Sequence, residues 1–339
     1  MTRHIVTLLC AAALWLPALA ADPIRVVATT TDLAAIARAV TGDLAQVASV
    51  TSGAEDPHFL QARPSYILMA RDADLWICVG MDLEIGWEPA ILSGARNHAI
   101  MPGGPHRLDA SAEILRMDVP KGPISRAQGD VHPHGNPHYW LDPLNGRIVA
   151  ESIAKKLGAL YPHHAPAFYA NLARFQNELD ARMFGPALVK RVGGEKLWVL
   201  LLRNELDPWL KQQSLQGELA GWLGRMRPLA GSGLVLYHKS WNYFANRFNL
   251  KIVAELEPLP GIPPSPAHLA GVVQAAKAQD AKAILIEPFY PVKPAEFVAQ
   301  RCSAKVVVAA NAVNGQPEAT DYLALFDNLV NRLASAMTR

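Results

Sequence analysis

The chain has 339 residues, 50% of them apolar and 18% charged, with 32 basic against 30 acidic side chains and three cysteines. That length and apolar content suffice for two domains with sizeable cores. The near-balance of charge excludes a basic nucleic-acid surface, and so few cysteines exclude a disulfide framework.

The N-terminus carries its own message. Arg3 precedes the apolar run IVTLLCAAALWLPALA, which closes on Ala18-Leu19-Ala20. A basic start, a short apolar stretch and an A-x-A end predict a secretory signal peptide over residues 1–20, cleaved after Ala20. The run is too short for a comfortable membrane span. A lipid anchor at Cys10 is rejected, because the bulky Leu9 stands where a small residue should precede a lipidated cysteine. The mature protein is expected to be soluble and periplasmic. Cys78 and Cys302 are read as buried free thiols.

Beyond the leader, short β runs alternate with amphipathic helical runs. IRVVAT (24–29) predicts a strand, and DLAAIARAVTG a helix with Leu33, Ile36 and Val40 on one face, stopping at Gly42. QVASVTSG is a second strand, a helix begins near Pro64, and ADLWICVG (73–80) is apolar on both faces, as in a covered parallel sheet. Residues 146–183 break the rhythm: Val149, Ile153, Leu157 and Leu160, then Phe168, Leu172, Phe175, Leu179 and Met183, predict one long connecting helix, kinked near Pro162–Pro166. Residues 184–230 are read as a mostly helical insertion. Strand–helix alternation returns with GLVLYH (233–238), KIVAELE, AKAILIEP and AKVVVAA, and Ser265-Pro266 marks a helix start. The expected fold is α/β: a first lobe over 21–145, the connecting helix, the insertion, and a second lobe over 231–339, with mostly parallel sheets.

Three histidines stand near element ends. His58 follows a strand in TSGAEDPHF, His138 lies in GNPHYWLDP just before the long helix, and His238 closes GLVLYH. Ligands of α/β sheets collect beyond the carboxyl ends of strands, and neutral imidazole is the commonest transition-metal ligand. Three such nitrogens would leave one or two positions for an oxygen donor or water. His98, His106, His163, His164 and His268 are read as surface residues. The sequence has no HExxH, no G-x-S-x-G elbow and no P-loop.

SGAEDPHFLQARPS, ADLWICVGMDLEIGW, NPHYWLDPLNG and YHKSWNYFANRFNL, in this order, resemble successive landmarks of one family. It is the zinc/manganese-binding periplasmic solute-binding proteins of ABC importers, the ZnuA/TroA-like or cluster A-I group, and the resemblance runs from about residue 24 to 337. It implies two α/β lobes joined by a long rigid helix, with metal held in the interlobe cleft by His58, His138 and His238. Manganese-selective relatives typically carry Glu at the third position, so His238 points to zinc, in keeping with the preference of imidazole-rich sites for Zn2+ over Mn2+.

Two departures accompany the resemblance. The family often supplies an acidic fourth ligand in the loop after the last strand; here that loop, AANAVNGQPEATD, places Asn311 or a neighbour there and has no carboxylate before Glu318. Glu287, at the end of AKAILIEP, is the candidate fourth ligand, with water or an orienting role for Glu287 as alternatives, and Glu55 and Asp56 are acids beside His58. The other departure is 184–230, longer than the usual link. His132 and His134, in VHPHGNPH, are read as a solvated turn, with weak metal recruitment as the alternative. The expected protein is a monomer and not an enzyme: it captures Zn2+ for delivery to an ABC transporter permease. The competing readings are a zinc hydrolase using Glu287 as base, or a binding protein or adhesin for Mn2+ or Fe2+.

Overall fold

The computed structural model describes residues 23–122, 129 and 131–338. The expected signal segment, with Cys10, lies outside the described residues. The first lobe runs β1 (Ile24–Ala28), α1 (Thr31–Thr41), β2 (Ala45–Ser49), α2 (Pro64–Arg71), β3 (Leu75–Cys78), α3 (Glu88–Ala95) and β4 (Arg107–Asp109). Then come α4 (Pro143–Leu160), α5 (Ala165–Phe184), α6 (Pro186–Val192), α7 (Gly194–Leu202), α8 (Leu206–Gln212) and α9 (Gly221–Met226). The second lobe runs β5 (Gly233–Leu236), α10 (Asn242–Arg247), β6 (Lys251–Glu255), α11 (Pro266–Ala278), β7 (Ala281–Ile286), α12 (Lys293–Ala299), β8 (Lys305–Val308) and α13 (Tyr322–Met337).

Each lobe holds one four-stranded sheet, ordered β2-β1-β3-β4 in the first and β6-β5-β7-β8 in the second, and every pairing is parallel. The α/β reading therefore holds, with the sheets parallel throughout the described residues. Local chemistry places the elements. β3 and β5 are buried on both faces, which suits their apolar runs. Thr30 caps α1 by accepting from the Leu33 N–H, and Gly42, at φ 54°, ends it where a side chain would be strained. Ser265 caps α11 in the same way, with Pro266 next in line.

The expected single connecting helix is corrected. α4 ends at Leu160, a 3-10 turn spans Pro162–His164, and α5 folds back along α4 as a helical hairpin. Pro162 and Pro166 have no N–H to continue a ladder, and a break of this kind reads the same in sequence whether the chain kinks or reverses. α5 packs on α1 of the first lobe and on α6, α7 and α9, its apolar stripe Phe168, Leu172, Phe175, Leu179 and Met183 buried. One hydrophobic core thus runs from the inner face of the first sheet through α4, α5 and the 184–230 helices to the inner face of the second sheet, and each outer face has a smaller core of its own. α3 was not foreseen, nor was β4, whose three residues are too few for periodicity to show. Cys78 and Cys302 are free thiols, but Cys302 is only half-buried.

Candidate metal centre

The sheet order reverses direction between β5 and β7, and ligands of open α/β sheets gather at such switch points. His238 lies two residues beyond β5, and Glu287 directly follows β7. His58 arrives on the long loop after β2, the outer strand of the first sheet. His138 comes from the segment between the lobes, just before α4. One ring nitrogen from each of His58, His138 and His238 lies within 4.8 Å of the others. The rings sit 5.1–5.4 Å apart between centroids, and His138 and His238 are buried.

NPHYWLDP fixes His138 by tying both lobes together. Asn136 Nδ2 donates to the Lys239 carbonyl (2.8 Å) and to Asp118 (3.0 Å). Tyr139 donates to the Val79 carbonyl beside β3 (2.8 Å), and the Trp140 indole donates to the Asn311 carbonyl (2.8 Å). Asp142 caps α4 and accepts two bonds from Arg247 on α10 (2.8 and 2.7 Å). A paired Arg–carboxylate fork of this kind, buried on both sides, holds orientation as well as charge.

Each histidine has its Nδ1 spoken for. His58 Nδ1 meets Asp56 Oδ1 at 2.7 Å, and His238 Nδ1 meets Glu257 Oε2 at 2.7 Å. An ionised carboxylate only accepts, so both Nδ1 atoms carry the proton. His138 Nδ1 meets Asn136 Oδ1 at 2.9 Å; the amide nitrogen of Asn136 is already donating, so its oxygen accepts and His138 Nδ1 is protonated too. All three Nε2 atoms then present a lone pair, the form that binds a metal, and that of His58 faces the Nε2 of His132. Burial works to raise the Asp56 carboxyl, but the bonds and charge of His58, helped by His238, outweigh it and hold Asp56 below its ordinary value. Burial pushes His138 well below the usual imidazole range, and the neighbouring His58, His238 and His132 add to the effect.

Glu287 does not join this triangle of nitrogens. It is fully buried, and neither of its carboxyl oxygens has a hydrogen-bond partner among the described residues. Burial, reinforced by the charges of Asp56 and Glu257, lifts it to about 8; the Ser240 hydroxyl pulls the other way without reaching hydrogen-bond geometry with either oxygen. Asn311 is buried, and its carbonyl accepts from Trp140, which packs 5.2 Å from His138. Glu318 pairs with Arg332 at the surface, and Glu55 accepts from Ser52 within its own loop. Asp56 also accepts from Tyr290 of the second lobe at 3.2 Å.

The solvated-turn reading of His132 is corrected. His134 is exposed, but the ring of His132 turns inward and its Nε2 lies 3.1 Å from His58 Nε2. Together with His138, His238, Asn136 and Lys239 it lines a cavity of about 80 Å³. Pockets for organic ligands run to several hundred Å³, so this one suits an ion. Glu257 and Asn136 were also missed; the only hints in sequence were an acid ending the strand KIVAELE and an Asn two residues before His138.

The family model described as "Zinc-uptake complex component A periplasmic" (ZnuA) matches residues 26–183 and 218–336. Residues 184–217, inside the expected insertion, fall outside that match. A high-affinity zinc uptake system protein ZnuA of Paracoccus denitrificans is 27% identical over 290 residues, 76% of this chain and 73% of that protein. Its counterpart in Brucella suis is 25% identical over 203 residues, 60% of this chain and 50% of that protein, so the chain spans about half the length of that relative. The iron-binding protein YfeA of Yersinia pestis is 28% identical over 188 residues, 54% of this chain and 55% of that protein. Among solved structures, a crystal structure of ZnuA superposes with a TM-score of 0.68 at 21% identity, covering 94% of this chain and all (100%) of that one. A Mn-bound periplasmic metal-binding protein from Candidatus Liberibacter asiaticus gives 0.64 at 19% identity, covering 93% and 100%. At these identities the structural likeness speaks for the fold alone.

Proposed function

Because the chain belongs to the ZnuA family of periplasmic metal-binding components, we propose that it captures Zn2+ through His58, His138 and His238 and passes the ion to the permease of an ABC importer. The observation that carries this reading is the convergence of three imidazole nitrogens, one from each lobe and one from the segment between them, each with its proton held on the other ring nitrogen. The chemistry is coordination without turnover. Among these relatives the printed metals are zinc, iron and manganese, and the donor set favours zinc: all three converging donors are imidazoles, which suit Zn2+ better than Mn2+. Glu287 takes part as a buried carboxyl directly after β7 at the second switch point, not as a converging donor. Among the described residues no helix is long and apolar enough to cross a membrane, so the membrane-spanning permease is a separate partner in this reading.

Competition titration of the purified protein against a zinc chelator tests it. We expect one Zn2+ per chain and much weaker binding of Mn2+. A protein that ignores zinc, or that prefers Mn2+, overturns the assignment.

A further inference from the structure

His132 is the donor near the cleft that the three-histidine triangle leaves out. Its Nε2 lies 3.1 Å from His58 Nε2, with ring centroids 5.1 Å apart. Two nitrogens bound to one tetrahedral Zn2+ at 2.0–2.1 Å stand about 3.3 Å apart, so His58 and His132 already have the spacing of two ligands sharing an ion. His132 also lines the ion-sized cavity with His138 and His238. It does not belong to the group whose nitrogens all lie within 4.8 Å of one another, so its ring must move inward to complete the set. The loop that carries it is held at both sides: Asn136 N–H donates to the Met117 carbonyl (2.8 Å), and Gly129 lies so close to Pro260 of the second lobe that a Cβ would fall 2.2 Å from its carbonyl oxygen.

The His58 Nε2 lone pair can take either a proton from His132 or a cation, but not both, since His58 Nδ1 holds the ring's own proton against Asp56. We propose that His132 is the fourth protein ligand, closing the coordination of the captured ion with four imidazoles in place of three and an oxygen. This inference rests on the zinc-capture reading and deepens it. A closed four-nitrogen sphere has no open position for a reacting water, so it holds cargo and does not hydrolyse.

X-ray absorption at the zinc edge of the loaded, full-length mature protein is the deciding measurement. Four nitrogen neighbours with outer-shell scattering from four imidazole rings are expected. In His132→Ala one ring should give way to an oxygen, and zinc affinity should fall by at least about tenfold, the equivalent of 1.4 kcal/mol. Three rings plus an oxygen in the unmodified protein overturn the inference, whatever the variant does. So does a His132→Ala protein that keeps both its affinity and its spectrum. The two levels separate cleanly: if zinc does not bind at all, or binds unchanged in His138→Ala and His238→Ala, the capture reading fails; if it depends on those residues but not on His132, only this inference fails.

Discussion

The two lobes share one strand order but use their switch points differently. In the first lobe the crevice between β1 and β3 is filled by Glu84, which accepts from the Thr29 hydroxyl (2.7 Å) and from the N–H groups of Val79 (2.6 Å) and Gly80 (3.2 Å). In the second lobe the equivalent crevice, between β5 and β7, holds His238 and Glu287, whose oxygens have no hydrogen-bond partner among the described residues, and opens on the cleft. A switch point can be closed by hydrogen bonds or left for a ligand, and this chain does each once. The first lobe must then supply its histidine from elsewhere, which explains why His58 rides on the loop after the outer strand and takes its orienting carboxylate from that same loop. His238 takes its own from Glu257, two residues beyond the neighbouring strand β6, where the Glu257 N–H is held by the Tyr237 carbonyl.

The largest effect should come from removing the histidines themselves. His238→Ala and His138→Ala should each weaken zinc binding by more than the roughly 10- to 100-fold typical of losing an orienting partner. His58→Ala should do less, because His58 rides on a loop and its orienting carboxylate, Asp56, is more open than Glu257. Isothermal titration of the three variants checks the order, and equal losses would erase the contrast between loop and sheet.

Orienting residues come next. Glu257→Gln should cost about 10- to 100-fold in zinc affinity. Asp56→Asn should cost less, because Asp56 is more open than Glu257, with side-chain exposures of 17% and 6%. The reverse ranking would show that the loop, not the sheet, sets the geometry of the site.

Glu84 tests the closed switch point. Burial, then the charge of Glu88, lifts it to about 7 against the pull of its three donors. Between its ordinary 4.5 and that value the folded protein holds a proton that the unfolded chain lacks, so this stabilisation is complete at low pH and is lost as pH rises through 7. Glu84→Gln loses an acceptor for buried donors and should be less stable by about 1–3 kcal/mol at pH 5. The gap should narrow by pH 8. Urea denaturation of the chelator-treated protein at both pH values measures it, and a gap that widens with pH contradicts the assignment.

The smallest effect is expected at Asp32, where the lobes meet behind the cleft. Its Oδ1 accepts from the Val313 N–H (2.9 Å), its Oδ2 has no partner among the described residues, and burial lifts it to about 7. The sign is the same as for Glu84: the contribution is present at low pH and is lost as pH rises through 7. Asp32→Asn keeps an acceptor for Val313 and has no charge to bury. It should match the parent at pH 5 and exceed it by about 1–2 kcal/mol at pH 8. A variant less stable than the parent at pH 8 would show that Asp32 is held as a carboxylate.

Much of the fold was legible because burial writes itself into local pattern. β3 and β5 are short apolar runs, α1 and α5 carry their stripes at helical spacing, and Ser265-Pro266 announces α11. β4 has three residues and no pattern to read. The hairpin of α4 and α5 was hidden because a proline break says that a ladder stops and not which way the chain then goes. His132 was misread because Pro and Gly around it look like a solvated turn, and only the approach of His58, 74 positions away, makes it an inward ring.

By itself the sequence determined the α/β class, the two lobes and which histidines stand at the ends of elements, since these follow from side-chain periodicity and from the residues that start and stop helices and strands. Only the tertiary structure decided that His58, His138 and His238 face one another, that Asp56, Asn136 and Glu257 hold their protons on the far nitrogens, that Glu287 stays behind and that His132 turns in. Those are distances between residues about 80 and 100 positions apart in the chain, and they are set by how two packed sheets meet across a shared core rather than by any local preference of the backbone.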